Sequence, residues 1–211
     1  MMKNQNMKSR KSRKKSGRGP IFTIGHSTRP IDEFIRLLAS NAVERLIDIR
    51  TIPKSRHNPQ FNGDSLSRAL RKAGIDYIHL KELGGLRRPQ PDSPNTGWRN
   101  ASFRGYADYM QTEEFAKALA RAIELAGKKS SALMCAEAVP WRCHRSLVAD
   151  ALTVRGIDAL EIVSASPPQA HRLTSFARVR GTHITYPPEK PGDLFESLPK
   201  SQKQRSRRPQ P

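Results

Sequence analysis

A chain of 211 residues with a formal net charge of +19 has room for one medium-sized domain and one substantial core. It has no run of about 18 apolar residues, and its basic start is not followed by a signal-like apolar stretch. Membrane insertion and secretion are therefore not expected, and a cytoplasmic protein is.

The excess charge is concentrated at the ends. Eight Lys or Arg lie in Met1–Gly19 and five in Lys200–Pro211, with no acid in either, so the rest of the chain is only mildly basic. This composition divides the chain into a disordered basic arm (1–19), a single α/β domain (20–187) and a disordered basic, Pro-rich tail (188–211). The ends imply solubility and salt-sensitive attraction to nucleic acid or other polyanions. Oligomeric state is not legible.

In chain order, Ile21–His26 is strand-like, and Ser27 or Thr28 can cap a helix with Pro30 in its first turn and Ile31, Phe34, Ile35 and Leu38 on one face. Arg45–Arg50 is a second strand, followed by a proline-bearing loop. Asp64 is placed to cap a helix burying Leu66, Ala69, Leu70 and Ala73, which Gly74 stops; Ile75–Leu80 is the third strand. Lys81–Gly105 is a long irregular insertion, of the kind that is usually functional or mobile. Thr112 opens a helix with Phe115, Leu119, Ala122, Ile123 and Ala126 inward, ended by Gly127. Ser131–Cys135 is the fourth strand, about Cys143–Arg155 the fourth helix, stopped by Gly156, and Leu160–Val163 the fifth strand. Beyond it only a short helix near His171 and a short strand near Ile184 are suggested.

Strands alternating with helices predict a mostly parallel sheet with helices on both faces, a Rossmann-like three-layer α/β architecture. Ligands bind such sheets outside the carboxyl ends of the strands. That edge gathers His26, Ser27 and Thr28, Asp48 and Arg50, His79 and Glu82, and Cys135 and Glu137.

Both cysteines of the chain fall in Leu133–Leu152. Cys143 and His144, at or near a helix start beside Arg142 and Arg145, meet the helix dipole and added positive charge, conditions that lower a thiol pKa. Cys143 is accordingly the preferred nucleophile or ligand, with Cys135 second because a strand-end cysteine is often simply core. Glu137 suits an acid or base if partly buried, or else an ion pair with Arg142 or Arg145. Ser27 can hold a phosphate or merely cap. Asp48 and Arg50 can bind substrate or pair within the sheet edge. Arg56, Arg104 and Arg145 are candidate anion contacts, with Arg56 and Arg104 on loops. Tyr77 and His79 share one strand face, in core or pocket. A zinc or iron ion on Cys135, Cys143 and His144, with an open position, is an alternative; the spacing is not that of a zinc knuckle. A redox dithiol is another, though eight positions separate the thiols, not the three of CxxC.

The stretches IGHSTRPIDEFIRLL, DIRTIPKSRHNPQF, GIDYIHLKELGG, FRGYADYM, LMCAEAVPWRCHRSLVADAL and HRLTSFARVRGTHITYP together resemble the domain of unknown function 488 family. The resemblance spans about Ile21 to Pro187. It implies an α/β fold and a shared polar constellation of His26, Ser27, Asp48, Arg50, Pro53, Ser55, Arg56, Cys135, Glu137, Cys143, His144 and Arg145. It implies no activity, so function is argued from the site. The residues favour a cytosolic enzyme joining a cysteine thiolate, Glu137 and His26 to an anionic, phosphate-bearing substrate such as a nucleotide or nucleic-acid end. The rival is a non-catalytic nucleic-acid-associated module.

Overall fold

The computed structural model describes residues 19–188. The tails read from composition lie outside the described residues, except for their innermost positions. Five parallel strands form the sheet: β1 (Ile21–Gly25), β2 (Arg45–Asp48), β3 (Asp76–His79), β4 (Ser131–Cys135) and β5 (Ala159–Ile162). Their order is β3-β2-β4-β1-β5, and a two-residue β6 (Gln169–Ala170) runs antiparallel on the β5 edge. The expected mostly parallel three-layer α/β fold is what forms.

The period-two alternation of the strands sorts the core into two layers. Phe22, Ile24, Leu46, Ala132 and Met134 face α1 (Ile31–Ser40) and α2 (Gly63–Lys72), which bury Phe34, Leu38, Leu66 and Leu70. Ile21, Ile47, Leu133 and Cys135 face the other way, toward α3 (Ala101–Tyr109), α4 (Glu113–Lys128) and α5 (Arg145–Thr153). Each fully buried Leu or Phe contributes roughly 1.5–3 kcal/mol relative to exposure. Among the described residues, no helix is long and apolar enough to cross a membrane.

Several local expectations shift for identifiable reasons. α1 starts at Ile31 with Pro30 as its N-cap, so neither Ser27 nor Thr28 caps it. Asn62, not Asp64, occupies the N-cap of α2; Asp64 lies in its first turn and Ala73 is exposed at its end. Gly127 lies within α4, which runs on to Lys128, while Gly74 and Gly156 do end the preceding turns at φ 75° and 73°. Gln169–Ala170 extend β5's sheet where a helix near His171 was expected, and the strand near Ile184 is β8 (His183–Thr185), paired with β7 (Arg178–Arg180).

The long insertion holds a helix. α3 is capped by Asn100, whose side chain accepts from the Ser102 and Phe103 amides. Buried Asp108 on α3 accepts from Ser93 Oγ, Asn95 Nδ2 and the Gln90 amide, tying the irregular part down. Asn95 Oδ1 in turn accepts from the Tyr186 amide, joining the insertion to the end of the domain.

Candidate functional site

The carboxyl edge of the sheet carries two separate polar groups, one on each face. Alternation decides the division: His26 follows Ile24 and Asp48 follows Leu46 onto the α1/α2 side, whereas Cys135 follows Leu133 onto the α3–α5 side.

On the first side, fully buried Asp48 accepts from the Arg50 amide, Nε and Nη2 and from Tyr77 Oη at 2.8 Å. Arg50 also donates to the Phe61 carbonyl at 2.9 Å, and its own carbonyl accepts from His79 Nε2 at 2.8 Å. Buried His26 stacks on Phe61 with ring centroids 4.3 Å apart. Its Nδ1 donates to the Ser27 carbonyl (2.7 Å), leaving Nε2 to accept from Arg50 Nη1 (3.3 Å). Burial lowers the His26 pKa to about 4, so the ring is neutral at pH 7. Burial and the Asp48 carboxylate push the Tyr77 phenol up. Asp48, His26 and Tyr77 thus hold Arg50 in place; of the four, Arg50 alone lines the cavity that the two thiols face.

On the second side the strand ends in Cys135, the chain turns through a 3-10 turn at Pro140–Arg142, and α5 begins at Arg145. Cys143 is therefore extended backbone two residues ahead of the helix, not its first residue; its Sγ still accepts from the Arg145 amide at 3.4 Å. The two sulfurs lie 2.7 Å apart as free thiols.

The Arg145 side chain is buried and turns back onto the strand. Nη1 donates to Cys135 Sγ (2.9 Å) and the Glu137 carbonyl (3.1 Å), Nη2 to the Ala138 carbonyl (3.3 Å), and Nε is buried without a partner among the described residues. This path crosses β1 at Gly25, where a Cβ would collide with the Glu137 carbonyl and Arg145 Nη1. Arg145 is thus a partner of the thiol rather than an open anion contact.

The electrostatics divide the thiols differently from the sequence expectation. Burial alone would raise Cys135, but the hydrogen bond from Cys143 and the Arg145 charge bring it below the ordinary thiol value. Cys143 is pushed well up by its hydrogen bond to Cys135 and by burial. The lowered thiol is Cys135.

His144 donates from Nε2 to the Ile49 carbonyl (3.2 Å) and presents Nδ1 to Cys143 Sγ (3.5 Å). Burial lowers it to about 4. Gly85 packs on this ring so closely that a Cβ would overlap it. With Nε2 committed to the Ile49 carbonyl, Nδ1 is the ring nitrogen left facing the thiols; among the described residues no group of three or more His, Cys, Asp or Glu is arranged to hold a metal.

Cys135 and Cys143 face a cavity of about 390 Å³, whose walls include Arg50, Thr51, Lys54, Phe103, Glu137 and Arg142. Ile52 and Leu86 stand exposed at its lip. The family model described as "Domain of unknown function DUF488" matches residues 30–152, more than half of the chain. The chain belongs to the DUF488 family. No curated protein and no solved structure matched it.

In this DUF488 chain the matched segment holds both thiols, Arg145 and the cavity walls named above, while His26 and Ser27 precede it. Glu137 is exposed at the cavity, so the burial expected to tune it is absent, and its side chain makes no ion pair with Arg142 or Arg145. Ser27 adopts a left-handed backbone (φ 49°) and Arg56 is exposed on its loop; neither lines the cavity, nor does Arg104, which lies in α3. Sequence reasoning passed over Lys54, Phe103 and the two close-packed glycines. Gly25, directly before the His26 strand end, and the doubled Gly84-Gly85 were the available signals.

Proposed function

We propose that this protein is a thiol-dependent enzyme acting on an anionic, phosphate-bearing compound such as a nucleotide or nucleic-acid end, with Cys135 as its nucleophile. The observation that carries the reading is the Arg145 guanidinium 2.9 Å from Cys135 Sγ at the floor of a cavity. A buried cation against a thiol stabilises the thiolate, the form that attacks.

The walls suit such a substrate. Lys54 and Arg142 border the cavity without an ion-pair partner among the described residues and can meet phosphate oxygens. Phe103 and the exposed Ile52 and Leu86 offer apolar surface to a flat ring system. Glu137, solvent-facing beside the thiols, is placed to exchange protons with a leaving group. Arg50, braced by Asp48, His26 and Tyr77, forms a fixed cationic wall.

The test is protection of Cys135 from iodoacetamide near pH 7. A panel of nucleoside mono- and diphosphates should contain compounds that slow alkylation at least tenfold, while the unphosphorylated nucleosides do not. Arg142→Ala and Lys54→Ala should each weaken that protection several-fold, and Cys135→Ser should abolish any turnover found for a protecting compound. Equal alkylation with and without every phosphate compound, or turnover that survives Cys135→Ser, would refute the proposal.

A further inference from the structure

Outside this cavity, a second open hollow lies beside α5, bordered by Trp98, Trp141, His171 and Leu173. There His171 and Glu161 are already committed, His171 bridging Glu161 and Asp150. The cleft between α1 and α2 is lined by surface residues such as Asp32, Arg68 and Lys72 and holds no buried polar group. The second thiol is different, because a single nucleophile on Cys135 gives Cys143 nothing to do.

Its placement is specific. Cys143 Sγ lies 2.7 Å from Cys135 Sγ, while a disulfide requires about 2.05 Å, so bond formation moves the sulfurs by well under 1 Å. Both sulfurs face the same cavity, so a compound attached to Cys135 lies beside Cys143. The extended Cys143 backbone, released from α5 by the Pro140–Arg142 turn, lets this sulfur approach the strand end.

We infer that Cys135 and Cys143 form a dithiol–disulfide exchange site for small, carboxylate-bearing disulfides, with Cys135 attacking and Cys143 resolving. This rests on the reading of Cys135 as the thiolate nucleophile and adds a redox activity to it. The Cys135 thiolate attacks one sulfur of the small disulfide RSSR; a Cys135–SR bond forms, the R–S–S–R bond breaks and RS⁻ leaves. Cys143 gives its proton to that RS⁻, its sulfur attacks the Cys135 sulfur, and the Cys135–Cys143 bond forms as the second RS⁻ departs. The protein dithiol loses two electrons and the small disulfide gains them, leaving one RSH and one RS⁻. Lys54 and Arg142 at the cavity match the carboxylates of such a compound. The same step run backwards, consuming one RSH and one RS⁻, reduces the protein.

The full chain equilibrated with oxidised and reduced glutathione, acid-quenched and alkylated, should show by intact mass a reversible intramolecular disulfide that follows the redox ratio. Cys143→Ser, which keeps a hydroxyl donor beside Cys135, should instead accumulate one glutathione on Cys135. Cys135→Ser should accumulate at least tenfold less on Cys143 at pH 7. No intramolecular disulfide in the wild type, or preferential trapping on Cys143, would overturn the inference. Iodoacetamide alkylation of Cys143→Ser at graded pH separates the two proposals. If Cys135 alkylates readily at pH 6 while no disulfide forms, the exchange site fails and the thiolate enzyme stands. If Cys135 is inert at that pH, both fall.

Discussion

Helix α5 carries two buried charges with opposite fates. Asp150, in its middle, is saturated: one carboxylate oxygen accepts from His171 Nε2 (2.7 Å) and the Thr174 amide (3.0 Å), the other from Thr174 Oγ1 (2.7 Å) and Tyr186 Oη (2.9 Å). Arg145, at its start, is incompletely used, with Nε unpartnered and Nη1 spent on a sulfur beside an open cavity. A buried charge whose every partner is protein holds a fold together. A buried charge whose partner is a thiol facing a cavity is the arrangement on which the proposed chemistry rests. The Asp48 and Asp108 clusters belong with Asp150, and so locate the scaffold that surrounds the thiols.

The strongest way to break this contrast is Asp150→Ala. It leaves a largely buried His171 side chain, Thr174 and Tyr186 without their shared acceptor and detaches the β6–β8 region from α5. Removing one partner of such a buried charged cluster costs about 3–5 kcal/mol. Urea denaturation should show that loss, while the pH at which Cys135 alkylates in the remaining folded protein stays unchanged. A stability change under about 1 kcal/mol would put Asp150 in a different class from the one assigned to it.

Arg145→Gln should do the reverse. Removing the charge withdraws stabilisation from the Cys135 thiolate, and each pKa unit regained costs tenfold in thiolate fraction below the pKa. Iodoacetamide alkylation of Cys135 at pH 6 should slow at least tenfold, with the rate recovering as pH rises above the ordinary thiol value. Arg145→Lys should fall between, since it keeps the charge and loses the planar fork. An unchanged pH profile in Arg145→Gln would show that Cys143, not Arg145, sets the thiol.

The contrast also explains how far the residues could be read in advance. The sequence periodicity disclosed five strands and four of the five α-helices among the described residues, because Leu66 with Leu70 and Phe115 with Leu119 mark buried faces at helical spacing. α3 stayed hidden among the prolines and glycines of its insertion, where Gly105 looked like the end. Gly105 is instead a contact point within α3, because a Cβ there would strike the backbone of Arg87–Pro89. The carboxyl edge of the sheet does gather polar side chains, but grouping residues by edge ignored the face each occupies. His26 and Asp48 fall on the side opposite Cys135 by simple alternation, which turns two expected site residues into braces for Arg50. The choice between the thiols was not legible from spacing at all. It depends on a guanidinium folding back across Gly25, a tertiary path that the helix-start argument for Cys143 could not contain.

A smaller effect, spread over pH, sharpens the comparison by titration. Burial lowers His26 and His144 to about 4. His171 goes the other way: burial opposes its charge, yet hydrogen bonds with Asp150 and Glu161 raise it to about 9. A histidine lowered on folding takes up its proton in the unfolded chain first. These two rings therefore cost stability as pH falls from about 6.5 toward 4. A histidine raised on folding holds its proton longer in the native state, so the His171 contribution is complete below about pH 6.5 and disappears as pH rises toward 9. The slope in either window is at most about 1.4 kcal/mol per pH unit for one proton. Folding shifts the two thiols in opposite directions, which also adds to the pH dependence of stability, so the His171 part is read as the stability difference between wild type and His171→Gln. That difference should be largest below pH 6.5 and shrink steadily to pH 9, while the acid-side decline of both proteins stays parallel. A difference constant from pH 6 to 9 would mean that His171 is neutral in the Asp150 cluster, and that the cluster is held by hydrogen bonds without an ion pair.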